Sequence, residues 1–255
     1  HTPMDAKQED LLKYDGHPRQ KLAAMTWSMD ENIGKVLTKL EAEGLMENTL
    51  IFFLSDNGGA ANNQSSVTPL KGWKGNKFEG GHRVPFIVHW KNHLKGNRKF
   101  DGLTSSLDIF STSLVAADIK KNKSLELDGV NLLPYLLEEK KGNPHQQLFW
   151  RKLEGAGTRI GDFKLIRLEN YGSVLYNLKE DLGETTDLST INKNKLFELT
   201  SRLEDWENTL IAPLWREGTY WKGITSNIHK NLMQNNYRDV LSKNNFTKKN
   251  KIQKN

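Results

Sequence analysis

The run TLIFFLS, residues 49–55, restricts the fold more than any other stretch of the chain. It is β-branched and aromatic, and it does not alternate between apolar and polar. Such a run suits a strand covered on both faces, as in a parallel or mixed sheet. It leads straight into Asp56-Asn57-Gly58-Gly59. In open α/β sheets ligands collect beyond the carboxyl ends of the strands, so this acid–amide pair stands where chemistry is expected. Residues 58–82 are rich in Gly, Asn and Ser and read as a long functional loop. PFIVHW, residues 85–90, reads as the next strand.

Around this strand–loop–strand unit the spacing predicts helices. Residues 21–43 place Leu22, Met25, Met29, Ile33, Val36, Leu37 and Leu40 at helical intervals, with Gly44 as the stop. SSLDIFSTSLVAA, 105–117, is a second helix with Ser105 or Ser106 as its cap, and 127–139 is a turn with a short helix. The rhythm changes after Pro144. Short strands are expected at 147–151, 157–160, 163–168 and 173–178, separated by Gly and Asp, with an amphipathic helix over 194–211. The expected division is an α/β portion over 1–145, a small antiparallel sheet with one covering helix over 146–212, and a basic Asn/Lys-rich tail over 213–255.

The net charge of +6 raises the question of a polyanionic partner. Eight Lys and Arg against one Asp lie between Trp221 and Asn255, so the rest of the chain is close to neutral. The basicity belongs to the tail, and no nucleic-acid partner is expected from it. No stretch approaches the length of a membrane span. The chain has no cysteine, which excludes disulfides, thiolate metal sites and cysteine nucleophiles within it. It opens on HTPMDAK without a leader and reads as mid-protein sequence.

Asp56 and Asn57 offer two hard oxygens, suited to Ca²⁺ or Mg²⁺. Calcium takes about six to eight oxygens, so partners must come from elsewhere, and Asn-Gly-Gly after a strand is also an ordinary turn. Lys74, between Gly72 and Gly75, is either a solvated loop lysine or a point charge for a sulfate or phosphate oxygen. Glu79, Gly80, Gly81, His82 and Arg83 read as a turn into the second strand, held by a Glu79–Arg83 or similar pair. The seven histidines have no metal-like spacing, and a zinc site is not expected. Trp73, Trp90 and Trp221 suit either the core or sugar stacking.

Taken in order, HTP, the helix with MDENIG, LSDNGG and LKGWKGNKFEGGHRVPFIVHW closely resemble the formylglycine-dependent sulfatases of the alkaline phosphatase superfamily. SSLDIFSTSL, DGVNLLPYL, GDFKLIR and LYNLKEDLGETTDL extend the resemblance to about residue 210. It implies part of an α/β/α sandwich with a mixed sheet, followed by a small α+β subdomain. It implies that Asp56 and Asn57 are ligands of an active-site Ca²⁺, with Mg²⁺ as the alternative, and that Lys74 contacts the sulfate group. His1 matches the histidine of the family's H-x-P segment, which contacts the sulfate near the leaving oxygen. Glu79, Gly80, Gly81 and Arg83 match as scaffold. The substrates implied are sulfated sugars, polysaccharides or aryl sulfates, and the location extracytoplasmic.

The family's nucleophile, a formylglycine matured in a Cys- or Ser-x-Pro-x-Arg motif, has no counterpart in this sequence. The family's N-terminal aspartate pair also precedes its H-x-P histidine. The chain therefore looks like the C-terminal half of a sulfatase, expected to be inactive and poorly folded alone. The competing expectations are a phosphodiesterase or phosphatase of the same superfamily, and an inactive sulfated-glycan-binding homologue.

Overall fold

The computed structural model describes residues 1–120, 126–152, 154–215 and 218–236. In chain order the elements are α1 (Gln8–Leu12), α2 (Gln20–Ala42), β1 (Ile51–Leu54), α3 (Glu79–His82), β2 (Phe86–His89), α4 (Asp108–Ala116) and α5 (Leu133–Leu136). They continue as β3 (Gln147–Lys152), β4 (Gly155–Ile160), β5 (Phe163–Leu168), β6 (Gly172–Asn177), α6 (Lys193–Glu207) and α7 (Thr219–Met233). They form two compact units. The first comprises 1–55 and 85–146, the second 56–84 and 147–255.

In the first unit, α2 ends as its sequence demands. Gly44 takes a positive φ of 66°. The Leu45 amide then bonds the Leu40 carbonyl and the Gly44 amide that of Glu41, the paired bonds of a Schellman cap. Ser105 and Asp108 bond reciprocally in the turn into α4, whose N-cap is Leu107 rather than either serine. Ser105 Oγ accepts from the Leu107 amide while Asp108 Oδ2 accepts from the Ser105 amide at 2.7 Å. Asp108 is wholly buried, and its other oxygen accepts from the Val130 amide and meets His145 Nε2 at 2.6 Å. One turn on, Thr112 Oγ1 accepts from the Leu132 amide. The Asp-x-x-x-Thr pattern of this helix thus fastens the segment that leads into α5.

β1 and β2 pair antiparallel, Ile51 opposite His89 and Leu54 opposite Phe86. The expectation of a strand covered on both faces is not met. Phe53 of β1 is 36% exposed, and Ile87, paired with it on β2, is 57% exposed.

In the second unit, β3-β4-β5-β6 form an antiparallel meander in register, as the spacing of its turns predicts. Both faces are covered. On one, Ala156, Leu165 and Leu175 pack with Leu199 and Leu203 of α6, and Phe149 stacks on Trp206 at 5.0 Å. On the other, Ile166, Leu168, Val174 and Tyr176 pack with Phe78 from the long loop and with Leu232 and Met233 of α7. This explains why FKLIRL does not alternate: Lys164, Leu165 and Ile166 are consecutive and all buried.

Two expectations are corrected here. The sheet has two covering layers rather than one helix, because the loop around Phe78 and a second helix close the other face. Residues 219–233 are that helix rather than a tail. TYWKGITSNIHKNLM carries Ile224, Ile228 and Leu232 at four-residue intervals, one apolar stripe among polar residues. The basic stretch 243–255 lies outside the described residues. The division at about residue 145 differs from the compact units in one further respect: residues 56–84 belong with the C-terminal sheet.

Candidate active site

The two motif segments, 56–60 and 71–83, are locked together through backbone. The Gly58 amide bonds the Gly81 carbonyl and the Lys74 amide bonds the Gly59 carbonyl, each at 3.0 Å. The Gly80 amide bonds the Lys71 carbonyl at 2.7 Å. The glycines are required by contact. A Cβ on Gly58 would lie 1.8 Å from the Gly80 oxygen, and one on Gly81 would lie 2.3 Å from the Asn76 oxygen. Gly72 has a positive φ of 81° and faces the Asn76 side chain, whose Oδ1 accepts from the Phe78 amide. The glycine-rich spacing is therefore the price of two backbone strands passing at van der Waals distance.

This lacing places Asp56, Asn57 and Lys74 on one framework. Asp56 and Lys74 are exposed and Asn57 half-buried, so carboxylate and ammonium point to where a ligand can reach them. The donor set fits a hard cation in kind, a carboxylate beside an amide oxygen, and supplies part of a coordination shell. Among the described residues no three His, Cys, Asp or Glu gather as a metal cluster. His1 belongs to the other compact unit. It is exposed and its Nδ1 lies 2.7 Å from the Thr2 carbonyl. A carbonyl can only accept, so Nδ1 carries the proton and Nε2 the lone pair.

Glu79 and Arg83 do pair, at 3.5 Å, but the nearest partner of Glu79 is one that sequence reasoning missed. Lys164 on β5, fully buried, has its Nζ 2.8 Å from Glu79 Oε1 and 3.0 Å from Glu184 Oε1, the latter an ion pair not aligned for a hydrogen bond. Its Nζ also lies 3.1 Å from His82 Nε2, which in turn is 3.3 Å from the Lys77 carbonyl. The other Glu184 oxygen accepts from the Glu79 amide at 2.7 Å. Lys71 forms a second buried hub, donating to the Glu184 carbonyl at 2.7 Å and to Asn235 Oδ1 at 2.6 Å. The one signal available was GDFKLIR itself, a lysine inside an apolar strand. Its partners stand 85 residues away in Glu79 and 20 in Glu184, and no local pattern links them.

The electrostatics follow from burial and these pairs. Burial opposes the Glu79 carboxylate, but Lys164, His82 and Arg159 outweigh it and hold its pKa down to about 2. Burial pushes the Glu184 carboxyl up. Burial lowers Lys71 to about 8 against the pull of Glu184, and lowers Lys77 to about 8 with Lys152 and Lys164 adding to the effect. His82 and His229 are kept neutral chiefly by burial, at about 3 and about 4.

A pH dependence follows. Unfolded histidines titrate near about 6.5, so the unfolded chain takes up protons that folded His82 and His229 refuse. The stability this gives is whole above pH 6.5 and is lost as pH falls toward 4 and 3. Glu79 adds a loss of the same sign below its ordinary range, while Glu184 works in the opposite direction. The denaturant midpoint of the full chain is expected to fall between pH 7 and pH 4, by up to about 1.4 kcal/mol per pH unit for each histidine. The double variant His82→Gln/His229→Gln should flatten that limb, and a wild-type midpoint constant across it would refute the reading.

Other surfaces are less suited to the chemistry. A cavity of about 510 Å³ opens on the sheet beside Arg151, Arg167 and Tyr171, but Glu207 pairs with both arginines and offsets their charge. Trp73 leans on the Phe78 cluster and Trp90 stacks on His93 at 4.0 Å. The side chain of Trp221 lies outside the described residues.

Residues 2–119 match the family model described as Sulfatase. The uncharacterized sulfatase YdeN of Escherichia coli (strain K12) is 40% identical over 156 residues, 59% of this chain and 28% of that protein. N-acetylgalactosamine-6-sulfatase of Mus musculus is 38% identical over 114 residues, 43% of this chain and 22% of that protein. The crystal structure of Ps i-CgsB aligns with a TM-score of 0.79 at 30% identity, covering 90% of this chain and 52% of that one. Its complex with k-i-k-neocarrahexaose aligns equally well, at 28% identity over 95% of this chain and 54% of that one. The chain thus spans about a quarter to a half of the length of these proteins.

Proposed function

We propose, from the match of residues 2–119 to the Sulfatase family model and the α/β fold shared with Ps i-CgsB, that the full-length protein is a sulfatase that hydrolyses sulfate monoesters of sugars or polysaccharides. The observation that carries this is the interlock of the DNGG turn with the Lys74 loop, which fixes a carboxylate, an amide and an ammonium on one rigid backbone frame. The substrate class is supported by the relatives' names, one an N-acetylgalactosamine-6-sulfatase and another solved with k-i-k-neocarrahexaose.

In this reading Asp56 and Asn57 hold Ca²⁺, or Mg²⁺, as two of its ligands. Such a cation would supply positive charge that polarises the sulfate group. Lys74 donates to a sulfate oxygen and offsets the charge that grows as the ester bond breaks. His1 is assigned, on its match to the family's H-x-P segment alone, to contact with the sulfate near the leaving oxygen, where a histidine can protonate the departing group. Glu79, Gly80, Gly81 and Arg83 hold the frame without touching substrate. The formylglycine that supplies the nucleophile would lie outside these 255 residues, so the chain alone is inactive, and the protein acts outside the cytoplasm. Among the described residues no helix is long and apolar enough to cross a membrane.

The test is hydrolysis of a 6-sulfated galactosamine by the full-length protein and by Lys74→Ala. Loss of one charge-stabilising donor is expected to lower kcat/KM by about 100- to 1,000-fold, with the circular dichroism spectrum unchanged. A variant as active as the wild type would return Lys74 to the solvated loop.

A further inference from the structure

The Lys74 loop has no regular structure of its own between Val67 and Phe78, yet it must hold a charge in place. Its anchorage comes from the C-terminal sheet. Lys164 projects from β5 and is wholly buried beneath the loop. Its ammonium has three partners, Glu79 Oε1, Glu184 Oε1 and His82 Nε2, all within 3.1 Å. Two of these belong to the loop's last turn, α3. Glu184, equally buried, accepts from the Glu79 amide, the first amide of that turn. At the loop's other end Lys71 reaches the Glu184 carbonyl and Asn235, which follows α7. Asn235 in turn donates to the Thr185 carbonyl at 2.9 Å. Lys71 also passes its carbonyl to the Gly80 amide. Both ends of the loop, at Lys71 and Glu79, are therefore tied to Glu184, one directly through its carboxylate and one through its carbonyl.

We propose that Lys164, Glu184 and Lys71 form a clamp by which the C-terminal sheet positions the Lys74 loop, so that Lys164 is a positioning residue acting through Lys74. The role given to Lys74 rests on the sulfatase reading above; the clamp itself does not. A purely structural pair would do the sheet little service, because β5 already buries Leu165 and Ile166 on its two faces. Burying an ammonium and two carboxylates costs more desolvation than an apolar contact would. What the arrangement adds is direction, since each charged hydrogen bond fixes an angle as well as a distance.

The experiment compares hydrogen exchange and kinetics of the full-length protein with Lys164→Met, Lys74→Ala and the double variant. In Lys164→Met, exchange should rise at the Gly58, Lys74 and Gly80 amides while Leu165 and Leu175 stay protected. kcat/KM should fall about 10- to 100-fold, the scale set by small misplacements of a catalytic group. The double variant should be no worse than Lys74→Ala, because the clamp then has nothing left to position. Unchanged exchange over 56–83, protection lost equally in β4–β6, or losses that add in full would each overturn the proposal. Should Lys164→Met fail to fold, Asn235→Gly serves the same comparison, since glycine keeps the positive φ of 57° at that position and removes the Lys71 partner. Should the wild-type protein hydrolyse no sulfate ester, the exchange data still decide the clamp, and only the role of Lys74 falls.

Discussion

On the function proposed above, Asp56→Ala in the full-length protein is expected to abolish sulfate-ester hydrolysis and to lower its content of bound Ca²⁺ or Mg²⁺. Asp56 leaves the end of β1 with its carboxylate exposed, and the backbone next to it is fixed by the Gly58–Gly81 bond. Its loss cannot be made good by a neighbour, because Asn57 brings no charge and no acidic cluster stands nearby among the described residues. Disturbing mere outer-shell partners of a metal ligand costs about 10- to 100-fold, so removal of a charged ligand should exceed about 100-fold. Asp56→Asn keeps an oxygen without the charge and should fall between the two. Metal content by mass spectrometry and turnover are measured on the same preparations. Unchanged turnover with unchanged calcium would remove Asp56 from the site.

Gly58→Ala is expected to cost nearly as much activity without touching any charged group. The added methyl would sit 1.8 Å from the Gly80 oxygen and 2.7 Å from its carbonyl carbon. Both are backbone atoms that cannot rotate aside, and Gly80 is itself held by the bond from its amide to the Lys71 carbonyl. The DNGG turn must therefore move away from the Lys74 loop and break the Gly58–Gly81 bond. Displacement of about 1 Å at a reacting centre can cost about 100-fold, and that loss is expected in kcat/KM. The atoms nearest the added methyl belong to Gly80 and Gly81 rather than to the sheet core of Leu165, Leu175, Leu199 and Leu203, so the loss should come with the C-terminal unit still folded. Gly34→Ala is the control: nothing lies within 4 Å of its added Cβ, and it stands inside helix α2, where alanine is favoured. Equal activity of Gly58→Ala and wild type would show that the two motifs need not be in contact.

The candidate site was legible as a motif because its parts are short and local. An acid and an amide at a strand end, a lysine between glycines and Glu-Gly-Gly before a strand can each be read without knowing what they touch. Two of the turns of the C-terminal sheet were legible for the same reason, since Gly161-Asp162 marks the one between β4 and β5 and Asn170 with Gly172 the one between β5 and β6. Helix α7 was missed although Ile224, Ile228 and Leu232 stand at helical spacing. Its Asn- and Lys-rich surroundings masked a stripe that is apolar on one side only.

What the sequence determined by itself was the set of elements and the glycine positions, since periodicity, caps and turns act over a few residues. Only the tertiary structure decided that residues 56–84 belong with the C-terminal sheet, and that Glu79 rests on Lys164 and Glu184 rather than chiefly on Arg83. A buried charge takes whichever partner the packed chain brings within about 3 Å, and here those partners come from strands and turns far along the chain. Sequence spacing cannot state that distance, because it is set by how Phe78 and α7 close one face of the sheet.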